Sequence, residues 1–184
     1  WFFTKDNKQE LSLSDGFVIT VLFWIVLSVS GSIPFLLFGF GVVDSFFESM
    51  SGITTTGATV IAGLDDLPKS LLIYRQLLQW LGGMGLIVLA IAVMPLLGIG
   101  GGQLFKTQTP GPMSEQRLTP RITSTARALW SIYFVLTVLC IFAYRLAGMN
   151  YFDAVSHAFS TVSIGGFSTH DLSIGFFNSL SIEI

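Results

Sequence analysis

The sequence predicts an all-α polytopic membrane protein built from repeated units of helix, re-entrant loop and helix. Three observations carry that prediction. Hydrophobic residues fill 52% of the 184 positions and charged residues only 11%, whereas soluble domains carry about a quarter charged residues. Three stretches are long and apolar enough to cross a bilayer, which takes about 20 residues. Two shorter semi-apolar pieces, 44–53 and 153–164, each run into a turn rich in Gly, Thr and Ser. The net charge of -2 offers no electrostatic footprint for nucleic acid. The one cysteine, Cys140, lies inside an apolar run, excludes an intrachain disulfide and reads as a buried, inert thiol.

The elements follow in order. Residues 1–16 begin "WFFTKDNKQE", which turns polar after its third residue and reads as a cytoplasmic arm rather than a signal peptide. The first unit spans 17–99. Its outer crossing is "FVITVLFWIVLSVSGSIPFLLFGF" (17–40), where Pro34 either kinks or ends the helix. The piece 44–53 is too short to cross and leads into "TTTGATV". The second crossing, 70–99, is long enough to tilt, and "LGGMG" within it lets helices approach closely. A loop at 100–128 follows. Its "LGIGGGQ" superficially resembles a phosphate loop but lacks the Gly-Lys-Ser/Thr ending, and reads as a flexible helix exit.

The second unit spans 129–184. Its outer crossing is 129–149, with Arg145 near the end, where a long cationic side chain snorkels to the interface. The short piece 153–164 follows, and a fourth crossing is expected from about Phe176. The chain stops at Ile184, which reads as part of something longer.

Loop charges set the orientation. Lys5 and Lys8 lie in the arm, and Lys106, Arg117, Arg121 and Arg127 in the loop, against Glu115. The opposite side holds Lys69, Arg75 and Arg145 together with Asp44, Glu48, Asp65, Asp66, Asp153 and Asp171. The arm and the long loop are therefore expected on the cytoplasmic side, with both short pieces dipping in from outside. The two pieces overlay with Asp44 on Asp153, Ser51 on Ser160 and Gly57 on Gly166, an offset of about 109 residues. Two crossings separate them, so the repeat is parallel.

Irregular backbone at membrane depth persists only when buried in protein or lining water. Thr54–Gly57 suits the second case, because hydroxyls and carbonyls can replace the water around a cation. Gly57 permits the positive φ that aims carbonyls at an axis. The short helix before it points its partially negative end at the same place. Neither turn carries a side-chain charge, which favours a weakly hydrated monovalent ion such as K+ over Mg2+ or Ca2+.

The motifs "TTTGATV", "STVSIGGFSTHD", "QLLQWLGGMGLIVLAIAVMPLLG" and "FKTQTPGP" together resemble the TrkH/KtrB (Trk/Ktr/HKT) family of bacterial potassium uptake proteins, nearest its TrkH branch. The resemblance implies a pseudo-fourfold, potassium-channel-like architecture, of which this chain holds two of four units. It implies ion-binding filter segments at Thr54, Thr55, Thr56 and Gly57 and at Ser163, Ile164, Gly165 and Gly166. The carbonyl donors to K+ would be Thr55, Thr56, Ile164 and Gly165. A single aligned glycine per copy implies fewer fully formed ion sites than in the longer potassium-channel signature. Also implied are K+ as the transported ion with no other cofactor in this chain, and a homodimer in the lipid bilayer of the bacterial inner membrane. A cytosolic nucleotide-binding regulatory ring of the TrkA type would gate it.

Several residues carry alternative readings. His157 aligns with Glu48 and reads as a polar cap on the short helix rather than a metal ligand. His170 and Asp171 read as extracellular vestibule. Arg75, Gln76 and Gln79 either line that vestibule or anchor their helix at the interface. A rival function is an intramembrane enzyme using Ser160, His157 and Asp153, although a hydrolase would also need an oriented base and an oxyanion site. A second rival is a structural membrane scaffold that carries no ion flux.

Overall fold

The computed structural model describes residues 13–93 and 118–183, whose regular elements are all helices joined by turns and irregular segments. Lys5, Lys8, Lys106, Arg117, the glycine-rich stretch 97–103 and "FKTQTPGP" lie outside the described residues. The element order is α1 (Leu13–Leu37), α2 (Val42–Ile53), α3 (Lys69–Val93), α4 (Leu118–Leu146), α5 (Tyr151–Val162) and α6 (Leu180–Glu183).

The outer helices α1 and α4 turn their apolar side chains outward. Phe17, Val21, Leu22 and Val26 on α1, and Ile132, Phe134, Leu139 and Phe142 on α4, are all exposed. Water would penalise such a surface by roughly 25 cal/mol per Å2, whereas lipid accepts it. Each helix contains an apolar span of 23 residues, Asp15–Leu37 and Ser124–Leu146, about 34 Å at 1.5 Å per residue. That matches a hydrocarbon core of about 30 Å. Pro34 sits in the last turn of α1, which ends at Leu37. The proline therefore ends the helix rather than kinking its middle, and Gly39, with φ 95°, reverses the chain into α2.

Two boundaries differ from the hydropathy reading. Helix α4 starts at Leu118, well before Leu129, because "RITSTARAL" can hold helical hydrogen bonds without being apolar. The last helix starts at Leu180 rather than near Phe176. Ser173–Phe177 forms a 3-10 turn, and Asn178 closes it in the left-handed region at φ 44°.

The short helices α2 and α5 bury polar faces: Ser45, Glu48, Ser49 and Ser51 on one, Asp153, Ser156, His157 and Ser160 on the other. Both pack on α3, which also touches α1 and α4. Gly82 and Gly83 make this possible. A Cβ on Gly82 would overlap the Ile53 carbonyl oxygen, and one on Gly83 would press Ser163 Cβ and Tyr133 Oη at 2.9 Å each. The apolar core of the first unit gathers Phe35, Ile53, Ile61, Leu64, Leu71, Leu72 and Leu78 beneath this contact.

The repeat runs further than the two short pieces. Phe40 N–H bonds to Phe35 O just before α2, and Met149 N–H bonds to Tyr144 O just before α5. Gly39 and Gly148 both adopt positive φ in the same register. The outer helix, reversal, short helix and turn therefore form one duplicated unit.

Candidate functional site

Helices α2 and α5 end in the same way. Thr55 N–H bonds to Gly52 O at 3.0 Å and Thr56 N–H to Ser51 O at 2.9 Å. In the second copy, Ile164 N–H bonds to Thr161 O at 3.0 Å and Gly165 N–H to Ser160 O at 2.8 Å. Each pair is a Schellman closure, whose left-handed residue is usually glycine. Here it is Thr55 (φ 56°) and Ile164 (φ 57°). β-branched residues are uncommon in that region, and each such position costs on the order of 1–3 kcal/mol. Two residues later the chain is left-handed again, at Gly57 (φ 77°) and Gly166 (φ 85°). The positive φ expected at Gly57 is present; the strained residues two positions earlier were not foreseen.

The two turns touch. A Cβ on Gly57 would overlap the Gly165 carbonyl oxygen, so Gly57 answers both to its own φ and to the neighbouring loop. Gly165 in turn has the Gln79 side-chain amide against it. Gln79 Oε1 accepts from Ser160 Oγ at 2.8 Å and from Phe167 N–H at 3.1 Å. The candidate residues Thr54, Thr55, Thr56 and Gly57 thus lie beside Ser163, Ile164, Gly165 and Gly166, each set at the C-terminal end of a short polar helix. Thr54 Oγ1 and Ser163 Oγ each donate back into their helix, to Met50 O at 2.7 Å and Phe159 O at 2.8 Å.

Arg75, Gln76 and Gln79 are all fully buried. They neither line a vestibule nor anchor α3 at an interface. Arg75 Nε donates to Glu48 Oε1 at 2.7 Å, one terminal nitrogen to Thr59 Oγ1 at 3.0 Å, and the other to the Ser168 carbonyl at 3.1 Å. Its plane covers Phe167, 4.4 Å from the ring centroid. Thr59 Oγ1 sits 3.0 Å from both Glu48 carboxylate oxygens. The second copy repeats this support without charge pairing, through a contact of 3.0 Å between His157 Nε2 and Ser168 Oγ. His157 therefore braces its loop from the helix, as Glu48 does. Sequence alignment of Glu48 with His157 hinted at the equivalence, but nothing local pointed to Arg75.

Ser160, His157 and Asp153 form no triad. Ser160 bonds to Gln79, His157 to Ser168, and the Asp153 carboxylate to Thr169 Oγ1 at 2.8 Å. Among the described residues no group of three or more His, Cys, Asp or Glu side chains is placed to hold a metal ion.

The outer turns of the two units also join. His170 Nδ1 bonds to Asp65, its Nε2 lies 3.3 Å from Asp153 Oδ2, and its ring stacks on Phe176 at 3.5 Å. Gly63 N–H donates to Asp171 at 3.0 Å. The hydrogen bond from His170 holds the Asp65 carboxyl below the usual carboxylate range. At Asp153 burial opposes ionisation, but hydrogen bonds with Thr169, His170 and Asn150 outweigh it, and that carboxyl too is held low.

Known proteins similar to this chain agree with one another. The family model for TrkH cation transport proteins matches residues 1–184. A Trk system potassium uptake protein TrkH from Vibrio parahaemolyticus is 58% identical over 100% of this chain. The protein of the same name from Escherichia coli is 52% identical, again over 100% of the chain. The chain spans 39% and 38% of those proteins' lengths. The crystal structure of the potassium transporter TrkH from Vibrio parahaemolyticus superposes with a TM-score of 0.80 at 56% identity, covering 99% of this chain and 36% of that one. With the match running end to end and the duplicated helix–turn–helix fold in common, the chain belongs to the TrkH family of cation transport proteins.

Proposed function

We propose that this chain supplies two adjacent quarters of a K+ path, lined by backbone carbonyls of Thr55 and Thr56 and of Ile164 and Gly165, within the segments Thr54–Gly57 and Ser163–Gly166. The observation that carries this reading is the matched backbone. Both turns pass twice through left-handed φ in the same register. They meet where only a glycine fits, with the Gly57 Cα against the Gly165 carbonyl. Ordinary loops do not hold Thr and Ile in left-handed φ in two copies. A demand on carbonyl direction accounts for it, since rings of carbonyls replace an ion's hydration shell. The names of the relatives, potassium uptake proteins, support K+ as the ion.

On this reading 17–99 and 129–184 are the first two helix–pore-loop–helix units, and 1–16 and 100–128 face the cytoplasm. The intact protein completes the ring with two further units. It works as a homodimer in the inner membrane, and a cytosolic nucleotide-binding ring of the TrkA type gates it. The driving force for K+ entry is the membrane potential, about 2.3 kcal/mol per charge per 100 mV.

The test is Rb+ and Na+ flux in vesicles carrying the intact protein, with K+-dependent growth of an uptake-deficient host alongside. Gly57→Ser and Gly166→Ser should each degrade the preference for Rb+ over Na+ while the protein still inserts. Wild-type preference in both variants at normal expression would remove these turns from the ion path, and absence of any flux in the wild type would leave only a scaffold.

A further inference from the structure

We infer that Arg75 is a positioning residue for ion selection: it braces the two turns against each other at equivalent points and so fixes the spacing of their carbonyls. The inference rests on the reading of the turns as an ion path.

The geometry is that of a cross-brace. Thr59 stands two residues beyond Gly57, and Ser168 two residues beyond Gly166. Arg75 bonds to both, to the Thr59 hydroxyl at 3.0 Å and the Ser168 carbonyl at 3.1 Å. Its third direction is taken by Glu48, whose carboxylate also accepts from the Thr59 hydroxyl at 3.0 Å and from Val60 N–H at 3.2 Å. One guanidinium therefore ties together the short helix of the first unit, the outgoing strand of its turn and the outgoing strand of the second turn. Phe167 closes the stack from one face.

Arg75 is 0% exposed within this chain. No ion can touch it, so any effect on permeation passes through the backbone it holds. Directly beneath the brace, Gly57 is packed on the Gly165 carbonyl with no room for a methyl group. A shift of one turn relative to the other must therefore move the carbonyls facing the path. Selection among monovalent cations depends on the size of that carbonyl cage or on the field of its dipoles, and both change with the spacing. Lysine cannot replace the function. It carries the same charge, but it lacks the planar fork that reaches three acceptors in fixed directions at once.

The experiment is Rb+ and Na+ influx into vesicles containing the intact protein, for Arg75→Lys, for the doubly neutral Glu48→Gln/Arg75→Gln, and for Gly57→Ser as reference. The double variant removes the fork and leaves no lone buried charge, so it remains informative if Arg75→Lys fails to insert. Expected is continued Rb+ influx with a preference over Na+ that falls about tenfold, the scale of one lost charge-assisted hydrogen bond. A merely structural arginine would lower protein yield and total flux together and leave the ratio unmoved. If Gly57→Ser loses the preference while the arginine variants that insert keep it, this inference is overturned and the ion path stands. If Gly57→Ser keeps the preference as well, this inference is overturned, and if Gly166→Ser also keeps it, the ion path is overturned with it.

Discussion

The two units of this chain share a backbone and differ in what holds it. In the first, the turn is fastened by a buried ion pair, Arg75 with Glu48, both 0% exposed. In the second, the short helix holds the same turn through a neutral group, His157 on Ser168, with Gln79 on Phe167 and Ser160. The Arg75 guanidinium reaches that turn from the other unit through the Ser168 carbonyl. The hydrogen-bond pattern and the left-handed residues nonetheless coincide position by position. Identical main-chain geometry on unlike supports indicates that the geometry, rather than any one side-chain solution, is what the fold maintains.

The largest expected effect comes from removing one support in each unit. Glu48→Leu leaves Arg75 charged and buried without its counter-ion, a loss of about 3–5 kcal/mol. His157→Leu breaks a neutral contact and should cost about 1–3 kcal/mol. Thermal unfolding of the intact protein in detergent measures both. Equal losses would break the distinction between a charged and a neutral brace.

Next comes the pair of glycines on which the two short helices rest. Gly82→Ala drives a methyl into the Ile53 carbonyl, a backbone atom that cannot step aside. Gly83→Ala meets Ser163 and Tyr133 mainly through side-chain atoms, which can shift by a few tenths of an ångström. Overpacking of this kind costs about 1–3 kcal/mol, and Gly82→Ala should sit at the upper end and Gly83→Ala at the lower. The same unfolding measurement decides it, and the reverse order would contradict the close contact between α2 and α3.

A smaller effect, opposite in sign, sharpens the likeness of the units. Thr55→Gly and Ile164→Gly relieve a left-handed β-branched residue and should each stabilise by roughly 1 kcal/mol. A gain in one unit only would mean that the two turns are not held alike.

Smallest is the effect of pH on the outer junction. Asp65 has a folded pKa below its ordinary value of 3.8, chiefly through the His170 hydrogen bond. Its contribution to stability is thus fully present above about pH 4 and lost as pH falls through the lower, folded value. Asp65→Asn should flatten that acid limb of the unfolding curve and leave stability near neutral pH almost unchanged. An unaltered acid limb would remove Asp65 from the linkage.

Much of this was legible in the sequence, for physical reasons. Apolar runs had to become lipid-facing helices, so α1 and α4 follow from hydropathy. Gly57 and Gly166 follow from the overlay of the two short pieces. The rest depended on contacts distant in sequence. Thr55 and Ile164 violate their local preference, because the closing hydrogen bonds of the helix end override propensity. Arg75 meets Glu48 and Ser168, 27 and 93 residues away, and no local pattern announces either. Thr59 lies just past the turn and looks dispensable until its hydroxyl is seen between Glu48 and Arg75. The 3-10 turn at Ser173–Phe177 hides inside an apolar run that reads equally well as the start of a helix.

The central claim, that the two turns together face one ion, is tested most directly by anomalous diffraction from crystals of the intact protein grown in Rb+. The account predicts an anomalous peak within coordination distance of the Thr55, Thr56, Ile164 and Gly165 carbonyl oxygens, weakened or shifted in Gly57→Ser. A Rb+ peak elsewhere in the membrane-spanning region, with those four carbonyls contacting no ion, would contradict it.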